Sequence, residues 1–146
     1  MKKDVFVVLA IISAFVLIQT IKLGGWNSTG PGPLLVQADD RAFQDTVTES
    51  GEWTLVKFWA PWCEACRRLM PTVTEIAEER RELITVVTVN VDEAPSTTNA
   101  FRVDPIPCLV LLQDSVEIDR LVGVKPKTVI TTWLDSHIAQ QSTPAQ

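Results

Sequence analysis

Residues Thr54 to Ala60 read Thr-Leu-Val-Lys-Phe-Trp-Ala, apolar on both alternating faces apart from one lysine. A strand of that composition needs packed layers on both sides, which places it inside a sheet covered by helices. After Pro61 and Trp62 the chain runs into Cys63-Glu64-Ala65-Cys66. A segment follows in which Leu69, Val73, Ile76 and Ala77 share one helical stripe, with arginine and glutamate opposite. Buried strand, two-cysteine turn and amphipathic helix therefore succeed one another with no long loop between them. That succession calls for a layered α/β fold with a thiol pair at the carboxyl end of a central strand.

The rest of the chain alternates in the same way. Leu34–Ala38 reads as a short strand, and Asp39 and Asp40 are candidate caps for a helix to about Thr48. Helix is expected over Cys63–Glu82, with a kink at Pro71. Ile84–Val91 is a second β-branched strand, and Ala94–Phe101 a short helix or turn. Cys108–Gln113 and Val116–Leu121 form a hairpin around Asp114-Ser115. Pro126 opens a last helix that turns Val129, Ile130, Trp133, Leu134 and Ile138 inward. The order predicts one mixed central sheet with helices on both faces, spanning residues 34–140, and a polar tail at 141–146. At 146 residues and 46% apolar, the chain has room for one such domain.

A separate segment precedes it. Val5 to Leu23 is 19 residues with little polarity, or about 28 Å of helix, close to the thickness of a bilayer core. Lys22 can snorkel to the head groups. A small-residue cleavage pattern at Val36-Gln37-Ala38 begins 18 residues past Ile18 and would cut through the first strand. The spacing thus favours an uncleaved membrane anchor within residues 1–23 over a removed signal. Lys2 and Lys3 lie before the span and Lys22 at its end, a bias that puts the N-terminus in the cytoplasm and the domain outside it, in a periplasm or lumen. Residues 24–33, rich in Gly, Pro and Ser, read as a linker. Asn27-Ser28-Thr29 within it matches a glycosylation acceptor, a triplet common by chance.

Composition excludes several functions. A net charge of −5 argues against nucleic acid as a partner. Three cysteines cannot make a dense disulfide framework, and His137 alone cannot make a histidine-rich metal site. The Cys63/Cys66 pair is different. At a helix start the first sulfur meets unsatisfied backbone N–H groups and the positive end of the dipole, which stabilise a thiolate. The second lies one turn on, placed to attack a mixed disulfide and release its partner. A single pair of this spacing leaves a zinc site two ligands short.

The run Val56-Lys57-Phe58-Trp59-Ala60-Pro61-Trp62-Cys63-Glu64-Ala65-Cys66, with Pro71 beyond it, Asn90-Val91-Asp92, Ile106-Pro107 and Gly123, resembles the thioredoxin superfamily over about Leu34 to Ile138. The resemblance implies the thioredoxin fold and a thiol–disulfide oxidoreductase whose only redox group is the Cys63–Cys66 disulfide, with no further cofactor. It implies Cys63 as nucleophile, Cys66 as the more buried resolving thiol, and a cis Pro107 packed against the pair. Trp62, Ile106, Gly123 and Val124 are implied as the apolar docking surface, with the Ile106 backbone pairing with a bound peptide. The partners implied are protein disulfides and an upstream electron donor, which for an exported domain is a membrane thiol transporter.

Three departures stand out. The family commonly has a buried acid two residues before the tryptophan matching Trp59; here it is Lys57. On a doubly buried strand that lysine either reaches water or tunes Cys66. Glu64 is negative beside Cys63, opposes its thiolate, and so favours the disulfide and a more reducing pair. Cys108 follows Pro107, and is either a small buried hydrophobe or a third thiol that traps partners or joins Cys63 and Cys66 around a soft metal. Weaker candidates are His137, more in keeping with packing than catalysis, and Arg67 and Arg68, a solvated face or a contact for acidic partners. A core role suits Trp59 and a surface role Trp62. Disulfide reduction is the leading function; oxidation or isomerisation, a metal-binding module and an idle scaffold are the alternatives. The absence of histidine between the cysteines counts against an oxidase or isomerase.

Overall fold

The computed structural model describes residues 35–50 and 53–141. The apolar segment at 5–23, the linker at 24–33 and residues 142–146 lie outside them. Among the described residues no helix is long and apolar enough to cross a membrane.

The elements follow the expected order. Strand β1 is Val36–Ala38, helix α1 Phe43–Glu49, strand β2 Trp53–Trp59, helix α2 Glu64–Glu79 and strand β3 Thr85–Asn90. Helix α3 is Pro95–Ala100, the hairpin strands β4 and β5 are Cys108–Gln113 and Val116–Val122, and helix α4 is Lys127–Gln141. They form one five-stranded sheet in the order β1-β3-β2-β4-β5. The first three strands in that order are parallel, and β4 and β5 run antiparallel. Strand β2 lies at the centre, as its composition requires, with Lys57 opposite Thr88 on one side and Leu109 on the other.

Alternation along β2 divides the core in two. Trp53 and Leu55 face a cluster closed by Leu69, Val73 and Ile76 of α2 and Ile130 and Leu134 of α4. Val56 and Phe58 face a second cluster closed by Phe43 and Val47 of α1, with Val87, Val89, Cys108, Val110 and Leu112. Ion pairs fasten α4 to α2: Lys127 Nζ lies 2.7 Å from Glu75 and 2.6 Å from Glu79, and Arg80 binds Asp135. The helix α2 continues through Pro71, whose missing N–H leaves the Arg67 carbonyl without its helical donor.

Several local expectations are corrected. Val129 is 44% exposed rather than inward, because Ile130 and Leu134 already fill the buried stripe of α4. That helix also runs one residue beyond the expected boundary, to Gln141. Asp39 accepts from the Arg41 and Ala42 N–H groups and so turns the chain ahead of α1. Asp40 does not cap α1. Its carboxylate crosses to the start of α3, where it accepts from the backbone of Ser96 at 3.0 Å and Thr97 at 2.7 Å.

Burial works against the Asp40 carboxylate, but the Thr97 and Ser96 hydrogen bonds outweigh it and hold the pKa down at about 2. A carboxyl depressed in the folded state stabilises the fold above its unfolded pKa, and that contribution disappears as pH falls through the folded value. Asp40→Asn should therefore melt at lower temperature than the wild type at pH 7. The gap should close between about pH 4 and about pH 2. Melting curves across this range check it; a constant gap would assign the effect to shape rather than charge.

Candidate active site

The pair sits where β2 ends and α2 begins. Cys63 is the residue that caps α2, with extended backbone (φ −82°, ψ 100°), and its Sγ accepts the N–H of Cys66 at 3.1 Å. The sulfur thus occupies the position at which a serine or aspartate side chain commonly satisfies a helix start. Cys63 and Cys66 are joined as a disulfide with Cα atoms 5.2 Å apart. Cys66 is fully buried, whereas Cys63 retains 7% exposure at the rim. An incoming sulfur can approach Cys63; Cys66 is reached from within the protein.

The surroundings are apolar and open. Trp62 is 67% exposed, and its indole N–H donates to Asp92 at 2.9 Å, which fixes the ring beside Cys63. Ile106 packs against both the cysteine cluster and the α1-side core. The Ile106–Pro107 peptide bond is cis, the isomer implied by the resemblance, and Asp104–Pro105 is cis as well. The Gly123 N–H donates to the Pro107 carbonyl at 2.8 Å, holding the end of β5 against the proline turn. Gly123 has φ +83°, a conformation that a side chain would strain even though the space around it is open. Val124 beside it is 46% exposed.

Lys57 does not reach water. It is fully buried on the α2 side of the sheet, where Nζ donates to the Cys66 carbonyl at 3.0 Å and approaches Met70 Sδ at 3.2 Å. Burial pushes its pKa down to about 8. Among the described residues no carboxylate forms an ion pair with it.

Cys108 lies apart from the pair. It is buried in the α1-side cluster with Phe58 and Val110, its thiol pushed up by burial. The three cysteines do not gather into one ligand set, and among the described residues no other group of metal-ligating side chains does so. His137 is bonded through Nε2 to Asp119 at 2.9 Å and packs edge-on against Trp133. Trp59 is half-buried against the cysteine cluster, in keeping with a core role.

Two residues acquire roles that the sequence reading had not given them. Asp92 orients Trp62, and its place in Asn90-Val91-Asp92 carried no hint of that long-range bond. Arg68 pairs with Glu64 at 2.7 Å, with both side chains exposed. Their spacing of four along a helix was a usable signal. The pairing offsets part of the field that Glu64 exerts on Cys63. Glu64→Gln should therefore raise the reduction potential of the pair by less than ~30 mV, about a tenfold change in equilibrium. Arg68→Gln, which uncovers the carboxylate, should lower it. Equilibration against glutathione checks both signs; shifts in the same direction would remove Glu64 from control of the pair.

The thioredoxin sequence family matches residues 34–136. Thioredoxin 1 of Synechococcus elongatus is 41% identical over 99 residues, 68% of this chain and 92% of the relative. Thioredoxin 1 of a Nostoc species is 38% identical over 102 residues, 70% and 95% of the two chains. The thioredoxin of a Synechocystis species is 35% identical over a segment of the same length. With a strand-to-helix cysteine pair seated as described and relatives that match along nearly their whole length, the chain belongs to the thioredoxin family and is a disulfide oxidoreductase acting through Cys63 and Cys66.

Proposed function

We propose that the chain reduces disulfides of partner proteins outside the cytoplasm, tethered to the membrane through residues 5–23. The observation that carries the thiol-exchange chemistry is the asymmetry of the pair: Cys63 lies at the rim beside exposed Trp62, and Cys66 lies sealed behind it. In the dithiol form the Cys63 thiolate attacks a partner disulfide and forms a mixed disulfide. Cys66 then attacks Cys63 Sγ, the partner leaves as a thiol, and the internal disulfide closes. Trp62, Val124, Ile106 and the side-chain-free backbone at Gly123 offer an apolar bed for an extended peptide carrying the target sulfur. Pro107 has no N–H of its own and leaves the peptide to pair with the Ile106 backbone. The Glu-Ala dipeptide, without histidine, supports reduction over oxidation.

Each turnover leaves the protein oxidised. A domain outside the cytoplasm then draws electrons from a donor in the membrane, for which a thiol transporter is the fitting class. The chain itself needs no cofactor beyond its own disulfide.

Cys63→Ser should abolish reduction of insulin by the dithiol form, whereas Cys66→Ser should retain the first attack and accumulate a mixed disulfide visible on non-reducing gels. Normal turnover by Cys63→Ser would overturn the assignment of the nucleophile. For topology, protease added to cells whose outer barrier has been opened should digest the domain from Gly24 onward. A reporter that works only in the cytoplasm, fused after Gln146 and still active, would place the domain on the other side.

A further inference from the structure

The two basic residues that follow Cys66 are held differently. Arg68 pairs with Glu64, one turn back, at 2.7 Å. Arg67 is exposed, and among the described residues no carboxylate forms an ion pair with it. Its Nη1 donates instead to a neutral acceptor, the Pro61 carbonyl, at 3.2 Å. That carbonyl immediately precedes Trp62, so the guanidinium is drawn back over the loop that carries the docking ring and Cys63. The Arg67 backbone N–H donates to the Cys63 carbonyl at 3.1 Å, which sets the residue one turn beyond the nucleophile. Asp92, a carboxylate of the same surface, is bonded to the Trp62 indole. Helix stability does not account for the placement. Arg67 lies in the opening turn of α2, where the positive end of the dipole disfavours a cation. Glu64 offsets that cost for Arg68, and nothing does so for Arg67.

We propose that Arg67 is a specificity-determining residue that reads a carboxylate beside the partner's target cysteine, so that disulfides flanked by Asp or Glu are attacked in preference to neutral ones. The proposal rests on Cys63 as the attacking sulfur. A carboxylate matches the planar guanidinium fork through two parallel N–H···O bonds. The bond to Pro61 already restricts the long side chain, which lowers the entropy lost when a partner binds. The net charge of −5 repels an acidic partner at long range, so the preference comes from this local cation. Solvent and salt screen a pair at an exposed site, and the effect is about threefold to fivefold in rate.

The test uses two peptides that differ only in having Asp or Asn on both sides of one cysteine, each held as a mixed disulfide with a neutral chromogenic heteroaryl thiol. The reduced full-length chain meets each peptide in a stopped-flow instrument. Cys63 Sγ bonds to the peptide sulfur, the peptide–aryl sulfur bond breaks, and the electron pair leaves with the coloured aryl thiolate. Dividing each rate by that of 2-mercaptoethanol with the same peptide removes the carboxylates' intrinsic effect. The Asp-to-Asn ratio then cancels any change in Cys63 itself. In the wild type at low salt this ratio should exceed one. It should fall roughly threefold in Arg67→Gln and less in Arg67→Lys, which keeps the charge without the fork. The difference between wild type and Arg67→Gln should vanish at about 1 M salt. Arg81→Gln removes the same charge beyond the far end of α2 and should leave the ratio unchanged. A wild-type ratio of one or less, an unchanged ratio in Arg67→Gln, or an equal fall in Arg81→Gln would overturn the proposal. Failure of the wild type to release aryl thiolate from either peptide would instead overturn the dithiol assignment, and this proposal with it.

Discussion

Burial of β2 on both faces is the constraint on which the molecule turns. The central strand fixes where its own carboxyl end emerges, and α2 starts there with only Ala60 to Cys63 between them. Because Leu69, Val73 and Ile76 anchor that helix to the sheet, its first turn is immobilised by core packing rather than by loop structure. The cysteines inherit that rigidity. A pair on a loop would need its geometry re-established in every cycle; here the apolar stripe of α2 establishes it once, on folding.

The other half of the site is assembled from far along the chain. Ile106 and Pro107 precede β4, which is antiparallel to β2 and brings its start beside the end of the central strand. Gly123 and Val124 follow β5 and are drawn in by the bond to the Pro107 carbonyl. Asp92 arrives at the end of β3, whose parallel pairing with β2 puts both carboxyl ends on the same edge. Three neighbouring connections thus converge on one edge of the sheet, as expected for α/β architectures whose sites form at strand ends.

How much of this could be read from the sequence depended on the range of each interaction. The strands and helices were legible because hydrophobic periodicity is local and the central strand is long; element ends moved by a few residues where caps decide them. The cysteine pair was legible because both sulfurs lie within one turn. Asp40 was misread because its partners, the Ser96 and Thr97 amides, are more than fifty residues away, and a carboxylate beside a possible helix start has a nearer interpretation. Lys57 was left between two readings because the covering of β2 by α2 sets its exposure, and periodicity does not reveal whether four methylenes reach past a particular helix. Cys108 was placed correctly as a small buried group, since its alternation with the apolar residues of β4 is a property of the strand itself.

The bond from the Cys66 amide to Cys63 Sγ has a consequence for the energetics of returning the pair to the dithiol. This donor is aimed at the sulfur while the sulfur is still neutral. Attack at Cys63 sends the electron pair first to Cys66; when the donor sulfur then leaves Cys63, negative charge arises at an atom already facing the amino end of a sixteen-residue helix. Solvent therefore has less reorientation to supply, and the dipoles that receive the charge were oriented when the chain folded. The protein carries this preorganisation in its backbone, where no side-chain substitution short of proline at Cys66 can remove the donor.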